Sequence, residues 1–282
     1  MHGRVAFVTG GASGIGKALC GVLVARGANV VVADINASGA AGVARELSDR
    51  RPRSATSLGL DVADARGFGE AVGAVHAERG RLDLLFNNAG IGVGGPVEEL
   101  TFAHWERAVD VNLRGVVHGV RAAYPLMIEQ RFGHIVNTAS LAGLLPFPLG
   151  VPYAMTKHAV VGLSVSLRAE ARRHGVGVSA VCPGVIDTPI LDTEGPLDLP
   201  RTRLAGRGRE MILHSNRGPA YPPERLAEDV LRGVERNRAI IVAPARARTA
   251  WLAHRLAPWL TQRILARELE WTHTQLFAEP RA

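Results

Sequence analysis

The feature that most restricts this chain is an alternation kept up from the first residues into the last third. A short apolar run is followed by a stretch with helical periodicity, then by another apolar run. Arg4–Val8, Asn29–Ala33, Ala55–Leu60, Leu82–Phe86, Gly133–Thr138, Val176–Val181 and Ala239–Val242 read as strands. Most are continuous apolar runs, the pattern of strands buried on both faces. Between them Gly14–Arg26, Ser38–Asp49, Ala65–Arg79, Phe102–Gln130, Tyr153–His174 and Glu224–Arg236 have the spacing of helices. Such repetition calls for parallel strands joined by right-handed crossovers. The expected fold is a single α/β unit, a doubly wound parallel sheet with helices on both faces. Sheets of this kind receive ligands beyond the carboxyl ends of their strands, so the residues just after each strand are the ones to inspect.

Two stretches break the rhythm. Ile186–Pro223 is long, rich in Gly, Pro and Arg, and reads as a lid or a disordered segment. After the last strand, residues 246–282 form an extension in which Trp251, Leu252, Leu256, Trp259, Leu260, Ile264 and Leu265 recur at helical spacing among arginines, with Pro258 interrupting. The expected division is therefore a sheet domain over 1–245, with its substrate loop at 186–223, and a helical extension over 246–282.

Charge separates along the same line. Residues 1–200 carry 18 Lys+Arg against 18 Asp+Glu, so the whole excess of +7 lies beyond residue 200. That region suits an anionic substrate, an anionic membrane surface or simply water. Nucleic acid is not an expected partner, because no zinc finger, basic zipper or aromatic RNA-binding signature accompanies the charge. No apolar run approaches the roughly 18 residues of a membrane-spanning helix. The opening Met1-His2-Gly3-Arg4 lacks the pattern of a signal peptide. With only Cys20 and Cys182, neither a disulfide framework nor a four-cysteine zinc site can be built, and a reducing, cytoplasmic setting is expected.

Thr9-Gly10-Gly11-Ala12-Ser13-Gly14-Ile15-Gly16 follows the first strand and opens the first helix. Glycines let backbone turn sharply and approach a pyrophosphate, and a helix N-terminus offers free N–H groups and a positive dipole end. Asp34 ends the second strand, where a carboxylate can take hydrogen bonds from both ribose hydroxyls and repels a 2′-phosphate. Ile35 and Asn36 follow it with no Arg or Lys, which favours NAD over NADP. Lys17 sits just inside the helix, near enough to a phosphate, or on the surface.

Tyr153 and Lys157 are one helical turn apart and share a helix face. A free phenol titrates near pH 10, so using it as a base at neutral pH costs about 4 kcal/mol, part of which a nearby ammonium can offset. Ser140 closes the fifth strand, where its hydroxyl can meet a substrate oxygen or cap a turn. Asn112 lies in a helical segment, where it is a surface residue or joins Lys157 through water. Asn87-Asn88-Ala89-Gly90 follows the fourth strand and can steady the sheet edge and line a cofactor cleft. Asp61-Val62 after the third strand can meet an adenine. Pro183, Gly184, Ile186 and Thr188 follow the sixth, where backbone and the threonine can hold a nicotinamide amide.

Taken together, in order and each at a strand's carboxyl end, these motifs resemble the short-chain dehydrogenase/reductase family over roughly residues 3–245. The resemblance implies a Rossmann-like fold and direct hydride transfer at nicotinamide C4 without a metal. It implies Tyr153 as general acid/base, Lys157 lowering its pKa and holding the nicotinamide ribose, Ser140 orienting the substrate oxygen and Asn112 completing a proton relay. It also implies a homotetramer or homodimer.

Leu141–Pro152, between the serine and the tyrosine, has no polar side chain at all. In the family this loop borders the substrate cleft, and Ile190, Leu191, Leu197 and Leu199 add to the apolar wall. A bulky hydrophobic secondary alcohol or ketone is the expected substrate (a steroid, terpenoid, retinoid or long acyl chain). The alternatives are an NADPH-dependent 3-oxoacyl-carrier reductase and, from another class, a dinucleotide-sensing regulator without turnover. The extension either docks on its own subunit or a partner, lies on a membrane surface as a peripheral contact, or is disordered.

Overall fold

In the computed structural model, which describes residues 1–276 apart from 193, 194, 197 and 217, each apolar run is a strand of one sheet. The strands are β1 Val5–Thr9, β2 Asn29–Asp34, β3 Ala55–Gly59, β4 Leu84–Asn87, β5 Gly133–Thr138, β6 Val176–Pro183 and β7 Ile240–Ala243. The sheet has seven strands in the order β3-β2-β1-β4-β5-β6-β7. Every pairing is parallel. The chain winds outward from β1 to β3, then returns to place β4 on the other side of β1. A crevice opens at that reversal, between the carboxyl ends of β1 and β4. The motif after β4 therefore braces the middle of the sheet.

The helices are α1 Gly14–Ala25, α2 Ala37–Arg50, α3 Ala65–Arg79, α4 Phe102–Val109, α5 Gly115–Gln130, α6 Val151–Ala171, α7 Gly208–Asn216, α8 Pro223–Glu235, α9 Ala245–Leu256 and α10 Pro258–Leu276. Side-chain alternation divides each apolar strand between two cores. Ala6, Val8, Val30 and Val32 face Leu19 and Leu23 of α1, Val43 and Leu47 of α2, and Leu226 and Val230 of α8. Phe7, Val31, Leu85 and Ile135 face Phe68 and Val72 of α3 and Ala123 and Met127 of α5. At about 1.5–3 kcal/mol for each fully buried large side chain, these two layers hold the fold.

The segment expected as one helix over Phe102–Gln130 is interrupted. Asp110–Arg114 forms a wide π-turn between α4 and α5, with Asn112 at its centre and fully buried. One extra residue in the turn rotates the helix register, so an asparagine that hydropathy places at the surface points inward.

The stretch 186–223 is built, not featureless. A 3-10 turn at Pro189–Leu191 follows β6, α7 crosses it, and Tyr221 bridges to Ile186 as a parallel pair. Tyr221 N donates to Val185 O and Asp187 N to Tyr221 O, both at 2.9 Å, so the excursion begins and ends on the same bridge. Helical spacing is faint there because Met211 is the one buried residue of α7. Leu197 and residues 277–282 lie outside the described residues.

Pro258 does interrupt the extension, separating α9 from α10. Ala247 is buried with Val242, Ala139, Val160 and Cys182, and Trp251 packs beside them. Leu269 packs on a small cluster of Leu149, Leu204 and Met211. No described helix is long and apolar enough to cross a membrane.

Candidate active site

The glycine-rich turn joins β1 to α1 at the crevice. Gly10 has φ +65°, and a Cβ there would stand 2.9 Å from Ala89 Cα. A Cβ on Gly16 would run into the Gly10 carbonyl oxygen, so only glycine lets α1 start this close to the strand end. Ser13 is exposed and its side chain makes no cap bond, which leaves the first-turn N–H groups of Gly14, Ile15 and Gly16 without a side-chain acceptor. Asp34 accepts from Ala12 N at 3.0 Å and from Asn36 N at 2.9 Å. Its carboxylate is thereby fixed at the lip of the turn. Lys17 takes the surface alternative and pairs with Glu46 of α2 at 2.9 Å.

Thr9 knits the two strands that flank the crevice. Its Oγ1 donates to Phe86 O at 3.2 Å and accepts from Asn88 N at 2.9 Å and Ala89 N at 3.0 Å. Asn88 Nδ2 returns a bond to Thr9 O at 3.0 Å, and Thr138 Oγ1 donates to Asn88 Oδ1 at 3.3 Å. Three strand ends are thus locked together by side chains.

Lys157 lies on the buried face of α6 and donates from Nζ to Thr138 O at 2.9 Å. Its Nζ stands 5.5 Å from the centre of the Tyr153 ring. A Cβ on Gly90 would lie 3.0 Å from Asn112 Oδ1 and 3.5 Å from Lys157 Nζ, so these three positions are neighbours. Asn112 commits both ends of its amide to Ile91, accepting from N at 2.9 Å and donating to O at 3.0 Å. The π-turn thereby holds the strand-β4 loop in place. Ser140 lies close enough to the Tyr153 phenol to pull its titration down, and its Oγ accepts from Ala142 N at 3.1 Å.

Burial sets the electrostatics. It pushes the Lys157 ammonium down to about 8, and it pushes the Tyr153 phenol up, against the smaller downward pull of Ser140. The sequence argument expects the lysine to lower the phenol. Here the ammonium bonds a backbone carbonyl 2.9 Å away, and burial is the largest influence on the phenol. Cys182 lies beneath this group; burial raises its thiol to about 12, and the Ser140 N–H and Lys157 charge only partly offset that.

The remaining residues divide. Thr188 is buried with its side chain about 3 Å from where a Gly14 Cβ would sit, which brings the post-β6 turn onto the glycine-rich turn. Gly184 N is taken by Ala243 O at 2.8 Å, Pro183 is buried, and the Ile186 side chain belongs to the core. Beyond β3, Val62 is buried against the start of α5, and its O accepts from His118 Nδ1 at 2.9 Å. Asp61 is exposed and accepts from Ala63 N at 2.9 Å.

Asn137 and Ser164, which spacing does not single out, join Asn87 in holding α6 in register. Asn87 Nδ2 donates to Asn137 Oδ1 at 2.8 Å, Asn137 Nδ2 to Ser164 Oγ at 3.0 Å, and Ser164 Oγ to Val160 O at 2.6 Å. Polar residues inside otherwise apolar strands were the available signal, since such groups must find partners.

A polar cluster built this way at the switch point of a doubly wound sheet defines a dinucleotide-dependent oxidoreductase fold. The short chain dehydrogenase family model matches residues 4–196. The D-threitol dehydrogenase of Mycolicibacterium smegmatis is 38% identical over 190 residues, covering 67% of this chain and 73% of that protein. The C alpha-dehydrogenase of a Sphingobium species is 35% identical over 250 residues, covering 85% and 80%. A solved short chain dehydrogenase/reductase from Burkholderia phymatum, in complex with NAD, superposes with a TM-score of 0.84 at 30% identity, covering 92% of this chain and 95% of the other. The chain belongs to the short-chain dehydrogenase family and is an oxidoreductase of that class.

Proposed function

We propose that this chain interconverts a hydrophobic secondary alcohol and its ketone with NAD, through residues 1–245, and that 246–282 is an added extension. The observation that carries the reading is the meeting of Ser140, Tyr153 and Lys157 beside the glycine-rich turn. The turn fits a dinucleotide, with a glycine wherever a Cβ would fill the cradle and first-turn N–H groups free of side-chain caps. Gly10, Ser13, Gly14, Ile15 and Gly16 would hold its pyrophosphate, Asp34 the adenosine ribose, and Asp61 and Val62 the adenine. Asn88, Ala89 and Gly90 would line the middle, and Pro183, Gly184, Ile186 and Thr188 the nicotinamide end. The dinucleotide supplies a hydride acceptor or donor at its nicotinamide C4.

The chain's own part is to hold and move one proton. Tyr153 exchanges it with the substrate oxygen, Ser140 orients that oxygen, Lys157 supplies positive charge beside the phenol, and Asn112 fixes the loop that walls the site. Asp34 argues for NAD, because a 2′-phosphate beside it would place like charges together.

The apolar stretch 141–152 argues for a lipophilic substrate. The Phe147 ring lies 6.1 Å from that of Tyr153, and Leu149 joins Leu204 and Met211 of the 186–223 stretch, the flap. One relative is named for D-threitol, a small polar polyol, so the substrate class rests on this wall alone. A panel of cyclic and long-chain alcohols against sugars and short polyols, with NAD and with NADP, tests it. Turnover confined to sugars or small polyols overturns the substrate class. Tyr153→Phe should abolish turnover and leave NADH binding intact; activity in that variant overturns the mechanism.

A further inference from the structure

Among the described residues the extension carries a run of exposed apolar side chains. Leu252, Leu256, Trp259, Leu260 and Ile264 are all exposed, Leu256 by 87% and Trp259 by 58%. Leu252 and Leu256 stand one turn apart on α9, and Leu260 and Ile264 one turn apart on α10, with Trp259 next to Leu260 in the chain. Exposed apolar groups this close together on a soluble surface mark a contact site.

Charge identifies the contact. Residues 245–267 contain five arginines and neither Asp nor Glu. Arg248, Arg255, Arg263 and Arg267 are exposed, interleaved with the apolar positions. Arg255 sits over the Trp251 ring at 5.6 Å and Arg263 over the Trp259 ring at 5.3 Å. Guanidinium groups stacked on tryptophans next to exposed leucines match the boundary of a bilayer, with rings and aliphatic groups among acyl chains and charges at the headgroups. A second copy pressed to the same face would set arginine against arginine, which disfavours self-association there.

We propose that the α9–α10 face seats this enzyme on an anionic bilayer surface, with Leu252, Leu256, Trp259, Leu260 and Ile264 entering the interface and the flanking arginines binding lipid phosphates. None of these side chains is Ser140, Tyr153 or Lys157, so lipid binding and vesicle-free turnover are read independently. Leu269, further along α10, packs on flap residues Leu204 and Met211, which places the seat next to the flap.

Cosedimentation of the full chain with equimolar phosphatidylglycerol–phosphatidylcholine vesicles tests the proposal. Binding is expected there, little with phosphatidylcholine alone, and loss in about 0.5 M NaCl. The double variant Leu256→Glu/Trp259→Glu, with unchanged circular dichroism and vesicle-free activity, should bind at least about tenfold more weakly. Arg255→Glu/Arg263→Glu should lose binding as well. Failure of the native chain to bind anionic vesicles overturns the proposal, as does undiminished binding by the Leu256→Glu/Trp259→Glu variant. A fall in oligomeric state of that variant in analytical ultracentrifugation, with vesicle binding intact, would also overturn it and make the face a subunit contact.

Discussion

Lys157 and Thr138 are joined by a single hydrogen bond, from the buried ammonium to a strand-end carbonyl oxygen at 2.9 Å. That bond turns the charge toward the sheet and leaves it facing the Tyr153 ring. Loss of water around the ammonium, which that one bond only partly offsets, makes the lysine costly to bury.

The cost has a sign that can be measured. Lys157 titrates at about 8 in the fold against 10.5 when free. Between those values the unfolded chain holds more protons than the folded one, so this residue's contribution to stability rises with pH. It is lost again as pH falls through 8, the full step being on the order of 3 kcal/mol. Urea unfolding of the native chain and Lys157→Met at pH 7.5 and 9.5 checks this. The stability of the native chain relative to the variant should grow with pH; a constant difference shows an unperturbed lysine.

Gly16→Ala tests the phosphate turn. The new methyl meets the Gly10 carbonyl, which is backbone and cannot swing aside. We expect a destabilisation of about 2 kcal/mol or more and at least tenfold weaker NADH binding. Thermal unfolding and a fluorescence titration read the two separately. An alanine variant with native affinity would show that α1 does not form the cradle.

Asp34→Asn isolates charge from shape, since an amide oxygen can still accept from Ala12 or Asn36. The ratio of kcat/KM for NAD over NADP should fall about tenfold or more once the like-charge repulsion is gone. Steady-state kinetics with both cofactors decides it.

The flap is clasped by arginines. Arg209 Nη2 bonds Asp192 and its Nη1 bonds Asp187, at 2.8 and 2.9 Å, while Arg107 holds Asp198 and Arg203 holds Glu99. Exposed pairs contribute only about 0–1 kcal/mol each and weaken with salt. Raising NaCl to about 0.5 M should therefore raise KM about threefold with little change in kcat. Arg209→Met should raise KM at low salt and blunt that dependence. A KM indifferent to both would show that the flap closes without these pairs.

Much of this molecule is legible in its sequence where burial is continuous. Gly133–Thr138 and Ala65–Arg79 begin and end as periodicity places them, because their boundaries coincide with the glycine and arginine that leave the core. What fails to show has local causes. The π-turn at Asn112 changes nothing in composition, only the phase of the helix. Helix α7 buries Met211 alone and so carries no stripe. The upward push on Tyr153 comes from its burial in the folded chain, which spacing along a helix does not specify.

The packing of Leu269 on Leu204 and Met211 makes helix α10 a brace for the loop over 186–223. A fusion or purification tag placed after α10 would pull on a helix that supports that loop. Kinetic comparisons among differently tagged preparations would then report on the tag as well as on the chemistry.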